Sequence, residues 1–313
     1  MSDKIMTLSP EYFAAKTKDV TSTEVSALPR FDLNKYKTSF ELWWEKKTGQ
    51  VLSAEPNERM RWGVLLEPAI AEMVREVLRI ETRPFKEYLR KPKDRLGASF
   101  DHEVLSSVNG PGILEIKNVD AIVFKNEWDE DNMPPPVELQ IQAQMEVAER
   151  EYAYCGVCVG GNTLKTYFRK RDRKVGKIIL KANAEFWAMV EADTPPAPDF
   201  SRDAAAIARL YSHSRPGLVI EADEEISSLV MSYMTFQETL KHSQAKLDEY
   251  KARLLERIGE AEKVVGEGFS ISAKEVQPSL GTLITEAMVG QTYGGRKGYR
   301  TFRVNKREEK KNG

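Results

Sequence analysis

The spacing of apolar positions changes period along the chain and separates helical stretches from strand-bearing ones. In the first eighty or so residues the spacing is helical. Thr21 with Glu24 has the form of a capping box ahead of an apolar stretch. Thr38 with Glu41 repeats it and opens a helix over Ser39–Thr48, with Gly49 as its stop. Asn57 is placed to cap a longer helix to about Arg79, on which Met60, Val64, Ile70, Met73, Val74, Val77 and Leu78 recur at helical spacing.

The period then shortens. Leu96–Val104 and Ile113–Lys117 read as two strands joined by a turn through Asn109-Gly110-Pro111-Gly112. A helix is expected over Val137–Arg150, after Pro134-Pro135-Pro136. Two further strands, Tyr152–Val159 and Leu164–Arg169, flank a Gly160-Gly161-Asn162 turn, and Lys177–Ala192 is again helical. Thr194-Pro195-Pro196-Ala197-Pro198 reads as a linker and divides the chain into residues 1–198 and 199–313. Beyond it, Asp223–Ile258 predicts one long helix or a helical hairpin. Ile226, Leu229, Tyr233, Phe236, Leu240, Leu247, Tyr250 and Leu254 follow an imperfect three-to-four spacing, as in a coiled-coil-like arm or a helix packed on its own domain. A small strand-bearing tail follows from Phe269, with a basic cluster from Arg296 to Arg307. The pattern as a whole predicts an α/β fold, a twisted mixed sheet flanked by helices, with a C-terminal helical arm.

Charge narrows the choice of partners. Lys and Arg total 47 against 48 Asp and Glu, so the molecule is no general polycation. Affinity for nucleic acid would have to come from a local basic surface or an enclosed channel. No apolar run approaches the roughly 20 residues of a membrane span, and Met1–Pro10 lacks the pattern of a signal peptide, which points to the cytosol. Cys155 and Cys158 form a C-x-x-C. On a strand, residues three apart face opposite ways, and three histidines in the whole chain leave little for a four-ligand metal site. The pair reads as two small buried side chains.

The chemistry is concentrated on the expected hairpin. Alternation puts Glu115 and Lys117 on one face of the second strand, and Asp101 on the first strand could join them. Two carboxylates and an ammonium are the groups that metal-assisted phosphodiester hydrolysis needs. Hard oxygen donors hold magnesium, the metal polarises phosphate, and a lysine orients or deprotonates the attacking water. Crowded carboxylates repel without a cation, so the arrangement makes sense mainly with metal. A bare D…E-x-K recurs by chance as a surface salt bridge, so the surroundings decide.

Four blocks around it resemble the lambda-exonuclease (YqaJ-type) phage recombination nucleases of the PD-(D/E)XK superfamily. They are Thr21-Ser22-Thr23-Glu24-Val25; Phe40 to Gly49 with Leu42-Trp43 and Lys47-Thr48-Gly49; Asn57 and Met60 with Gly63 and Glu67-Pro68; and Asp101, Glu115-Ile116-Lys117 and Gln140-Ile141-Gln142. The resemblance covers about residues 15–195. Gly298 to Val304 also resembles an extension that some members carry. The resemblance implies that Asp101 and Glu115 bind Mg2+, with Mn2+ as a substitute, that Glu67 lines the metal site, and that Lys117 is the catalytic lysine. It implies that Gln142 contacts the lysine, water or phosphate, with Gln140 beside the DNA. Lys16 stands where the family often has arginine, and with Thr23 it would form a pocket for a 5′-terminal phosphate. The implied activity is ATP-independent 5′→3′ digestion of double-stranded DNA ends in a phage-infected or prophage-bearing bacterial cell. The implied assembly is a toroidal homotrimer, and the implied partner is a phage single-strand annealing protein.

Phe100-Asp101-His102 departs from the family's usual Pro-Asp-Gly, and His102 on a strand is expected to point away from the metal. Trp43 and Trp44 read as core rather than as a base-stacking wedge. The run Arg169–Lys174 fits either a DNA backbone track or a solvated loop. Two rival functions are another nuclease of the superfamily, Cas4-like or helicase-fused, and a non-catalytic DNA-end-binding protein. The absence of a cysteine tetrad and of helicase motifs argues against the first, and the full set of catalytic residue types argues against the second.

Overall fold

The computed structural model describes residues 3–6, 10–50, 58–106, 108–267 and 269–275. The chain divides into two units after Leu210. The first opens with β1 (Asp3–Met6), α1 (Pro10–Lys18), β2 (Val20–Thr21) and a single 3-10 turn, Val25–Ala27. Helices α2 (Ser39–Thr48) and α3 (Glu58–Leu78) follow, then β3 (Glu81–Pro84), β4 (Glu87–Lys91), β5 (Leu96–Ala98), β6 (His102–Leu105) and β7 (Gly112–Val119). After α4 (Ala121–Glu127) and α5 (Pro135–Ala148) come the hairpin β8 (Tyr152–Val159) and β9 (Thr163–Lys170), α6 (Arg173–Glu191) and α7 (Ala204–Leu210). The second unit holds α8 (Glu224–Ile258) and a hairpin of β10 (Lys263–Gly266) and β11 (Phe269–Ser272).

The main sheet has the order β3-β6-β7-β8-β9. The central pair β7–β8 is parallel and its neighbours antiparallel, so the sheet is mixed. Parallel strands need a covered crossover, and α5 supplies it between β7 and β8. Ile113, Ala153, Cys155 and Val157 face one core with Ile141 and Met145 of α5 and Ile179 and Phe186 of α6. Leu114, Ile116 and Tyr152 face the other core with Ile70, Ala71 and Val74 of α3. Gly156 permits that second approach, since a Cβ there would lie 2.4 Å from Val74 Cγ2. Cys155 and Cys158 are both free and belong to opposite faces, as expected of strand residues three apart. Burial pushes the Cys155 thiol well up, so it stays an inert core group.

Three expectations change. Leu96–Val104 is not one strand: β5 belongs to a second sheet, of order β1-β4-β5-β2, and β6 to the main one. The chain crosses between sheets at Ser99-Phe100-Asp101, where Phe100 stacks on Phe85 with ring centroids 4.1 Å apart. Thr21 and Glu24 do not open an α-helix. Glu24 Oε2 accepts from Thr21 N–H, half of a capping box, but only Val25–Ala27 turns, as 3-10. Leu28 is extended at ψ 143°, as a residue before proline prefers, and Pro29 stops the helix. The first unit also runs past the proline-rich segment. Asp203 is fully buried, accepts from the Thr38 hydroxyl and from Asp199 N–H, and holds the start of α7 to the α2 cap. Asn57, the basic cluster from Arg296 to Arg307 and the segment from Gly298 to Val304 lie outside the described residues.

Candidate active site

The sheet-to-sheet crossover positions Asp101. In the β6–β7 ladder His102 pairs with Leu114, so Asp101 stands one step beyond its end, opposite Glu115. Its carboxylate accepts from Ile116 N–H at 2.6 Å and its carbonyl from Phe85 N–H. Burial and the Glu115 charge, with Glu67 adding to them, push the Asp101 carboxyl up to about 8, against the pull of Ile116 N–H and Lys117. Burial and then Glu115 also raise Glu67, which reaches the site from α3.

Glu115 is the hub. Its Oε1 accepts from Lys117 Nζ at 2.7 Å and from Gln140 Nε2 at 2.7 Å, and its Oε2 from Gln144 Nε2 at 2.7 Å. Lys117 Nζ also donates to Gln140 Oε1 at 3.1 Å, closing a triangle of lysine, glutamate and amide. Burial would lower the Lys117 ammonium, but Glu115 more than offsets it and the pKa is raised. Lys117 is therefore a cation held in place.

The two glutamines on Glu115 lie one turn apart, at i and i+4 of α5, and so share a face. Gln142 is on another. Its Nε2 donates to the Lys170 carbonyl and its Oε1 accepts from Asp172 N–H, tying the end of β9 to the N-cap of α6. The lysine contact expected of Gln142 is made by Gln140. The residue that sequence reasoning missed is Gln144. It is fully buried, its Nε2 also donates to the Ser99 carbonyl at 3.0 Å, and its Oε1 is buried with no partner. The signal was present, because Gln140, Gln142 and Gln144 alternate along α5 and only helical phase separates their roles.

His102 points elsewhere: Nδ1 is 3.3 Å from Thr82 Oγ1, and burial and Arg75 lower its pKa. Trp43 and Trp44 are core. The basic run at the end of β9 is largely neutralised, Arg169 by Glu138, Arg171 by Glu146 and Arg173 by Glu151.

The residues expected to take a 5′-phosphate, Lys16 and Thr23, stand on α1 and in the loop after β2. Parallel pairing of β2 with β5 places Ser22 N–H on the Gly97 carbonyl, beside the segment that leads to Asp101. Thr23 is exposed, and its hydroxyl lies 3.0 Å from that of Thr21. Lys46 Nζ joins this loop to α1, donating to Glu24 Oε2 at 2.8 Å and to the Lys16 carbonyl at 2.9 Å. Burial opposes charge on Glu24, yet Lys46 and Lys37 hold its carboxyl down at about 2. The Lys16 ammonium lies 5.2 Å from the Tyr12 ring centroid.

Among the described residues no three His, Cys, Asp or Glu side chains form a ready-made metal cage. The donor chemistry of Asp101, Glu115 and Glu67 nonetheless fits a hard divalent cation. All three offer oxygen, and burial, together with their mutual repulsion, raises the Asp101 and Glu67 carboxyls, a cost that a cation relieves.

A mixed α/β domain with a carboxylate–lysine–amide centre on its middle strand is thus the class the geometry defines. Residues 11–151 match the YqaJ-like viral recombinase domain. It is 29% identical over 258 residues to the uncharacterized protein YqaJ of Bacillus subtilis (strain 168), covering 80% of this chain and 79% of that one. Among solved structures it is similar to an alkaline exonuclease (LHK-Exo) from Laribacter hongkongensis, with a TM-score of 0.46 and 21% identity over 64% of this chain and 100% of that one. A phage related exonuclease from Haemophilus somnus 129PT gives a TM-score of 0.39 and 10% identity over 56% of this chain and 96% of that one.

Proposed function

We propose that the chain is a divalent-metal-dependent DNA exonuclease of the PD-(D/E)XK type. The observation that carries this reading is the closed contact of Glu115, Lys117 and Gln140 beside a carboxylate, Asp101, that burial and Glu115 hold in need of a cation. The family match over residues 11–151 supports it. Asp101 and Glu115, with Glu67 near them, would hold Mg2+ or Mn2+. Bound there, the metal would supply Lewis-acid polarisation of the scissile phosphate and a more acidic water.

The protein's own groups supply the rest. Lys117, kept charged by Glu115, orients the attacking water through its N–H donors and offsets the negative charge that builds on phosphate. A raised ammonium is a poor base, so its work is electrostatic. Gln140 fixes the lysine, accepting from it while donating to the same glutamate oxygen. Gln144 holds the second oxygen of Glu115, which fixes the carboxylate plane.

The substrate is a double-stranded DNA end, digested 5′→3′ without ATP to leave 3′ tails for strand annealing by a phage annealing protein in the bacterial cytoplasm. Lys16 and Thr23 take the 5′-phosphate. Three copies form a ring around the duplex, which would let a near-neutral chain concentrate basic groups on an inner wall. Polarity is tested with duplexes labelled at either end: the 5′ label is released first and the 3′-ended strand persists. Early release of the 3′ label overturns the polarity. The native mass should be a multiple of three chain masses, and a stable monomer rejects the ring.

A further inference from the structure

We propose that α8 is an antiparallel coiled-coil arm whose partner is the α8 of a second copy of this chain. The helix has 35 residues and, among the described residues, none of its side chains is buried. Leu229, Phe236, Leu240, Leu247 and Tyr250 are each more than half exposed, with Phe236 at 74%. About 50 Å of helix with an uncovered apolar stripe is a surface built for a partner.

The stripe has heptad form. Ile226, Tyr233, Leu240, Leu247 and Leu254 recur every seventh residue, and Leu229, Phe236, Ser243, Tyr250 and Arg257 stand three residues after each. In heptad terms these are the a and d positions, which seat knobs in the holes of a partner helix. Charge on the flanking positions chooses both partner and direction. Two parallel copies would set Lys246 of one helix against Lys251 of the other, in two symmetric like-charge contacts, with no opposite-charge pair anywhere along the seam. Two antiparallel copies in the register that seats Leu229 on Leu247 set Glu225 against Arg253 and Asp223 against Lys251, twice each by symmetry.

The same register makes sense of the core. It packs Leu229 on Leu247, Phe236 on Leu240, Ile226 on Tyr250 and Tyr233 on Ser243, so the small Ser243 of one copy receives the large ring of the other. Arg253 already touches Glu249 within its helix, with both side chains solvent-accessible. An exposed i,i+4 pair is weak, so it leaves the guanidinium able to reach Glu225 across the seam. From Asp223 to Arg253 the stretch is self-complementary, which is the condition for a twofold contact between identical chains.

The test is cross-linking in the full chain. Cys158 is replaced by serine, while Cys155 stays shielded in the core. Leu229→Cys and Leu247→Cys variants are treated with a short bis-maleimide, separately and mixed, and run on a denaturing gel. The mixture is expected to give a two-chain band and each variant alone almost none. Adding Leu240→Asp should abolish the band with far-UV circular dichroism unchanged. In the mixture, Glu225→Lys should weaken the band at low salt, and adding Arg253→Glu should restore it. Bands from each variant alone would show parallel pairing. No band in any mixture would show that the stripe is covered by another part of this chain or by a different protein. Either result overturns the proposal.

Discussion

Helices α5 and α8 put opposite kinds of side chain in unfavourable places. Along α5 every residue from Gln140 to Ala148 is buried, including three glutamines and Glu146. Along α8 no side chain is buried, although leucines and aromatics run its whole length. A buried amide is costly unless it is hydrogen-bonded, and an exposed apolar stripe is costly unless it is covered. Apart from Gln144 Oε1, the α5 amide groups are answered within the chain, by Glu115, Lys117, Ser99, Lys170 and Asp172. The α8 stripe is answered, on our account, only when a second chain arrives. Chemistry is organised by burying polar groups, and assembly by leaving apolar ones out.

The strongest way to break this contrast is at the hub. Glu115→Gln, Lys117→Ala and Asp101→Asn should each lower the rate of duplex digestion by roughly 100- to 1,000-fold or more, the scale of losing a preorganised charge-stabilising group. Double variants should lose little beyond the singles, since the groups act as a unit. Initial rates under single-turnover conditions read this directly, and additive losses would separate the residues.

Two glutamines on one helix sharpen it. Gln144→Ala strips a buried oxygen of Glu115 and should cost about 1–3 kcal/mol of stability, together with a fall in rate at saturating magnesium. Gln142→Ala should lower stability alone, with the rate per folded molecule unchanged. Denaturant melts beside rates corrected for the folded fraction distinguish the two. A Gln142 variant that is catalytically dead yet fully folded would reverse the roles.

The raised Asp101 carboxyl gives a pH signature. Unfolded, the group releases its proton near the ordinary 3.8; folded and metal-free, it holds it to about 8. Between those values the folded state binds the extra proton, so the stability of the metal-free protein falls as pH rises through this window. Asp101→Asn removes that cost. In EDTA above pH 8 it should melt at least about 3 °C higher than wild type, roughly 1 kcal/mol for a unit of this size. An equal or lower melting point would count against a charged, uncompensated Asp101. The smallest effect is expected at the exposed pocket: Lys16→Ala should reduce a preference for 5′-phosphorylated over 5′-hydroxyl ends by no more than about tenfold, with the hub untouched. A full preference in that variant would remove Lys16 from the pocket.

Periodicity located most of the helices and the β8–β9 hairpin, because those elements carry regular spacing and strong stops such as Gly49 and Gly160-Gly161. It merged β5 with β6, since a crossover between two sheets keeps strand-like residues and has no glycine or proline to mark it. It extended the Thr21–Glu24 signal into a helix that Pro29 ends. Strand alternation placed Glu115 and Lys117 on one face, whereas Asp101, read as a strand residue, sits in the crossover just before β6. The division of labour among Gln140, Gln142 and Gln144 could not be read from spacing, because which face of α5 meets β7 is decided by tertiary packing.

The central claim is that the Glu115–Lys117 centre hydrolyses DNA from duplex ends. The direct measurement is digestion of a linear duplex in magnesium without ATP, by wild type and by Lys117→Ala, with matched samples in EDTA. The account predicts progressive shortening by wild type in magnesium only, and an intact duplex with the variant at the same folded concentration. Magnesium-dependent digestion by Lys117→Ala at the wild-type rate, or no digestion by wild type, would contradict it.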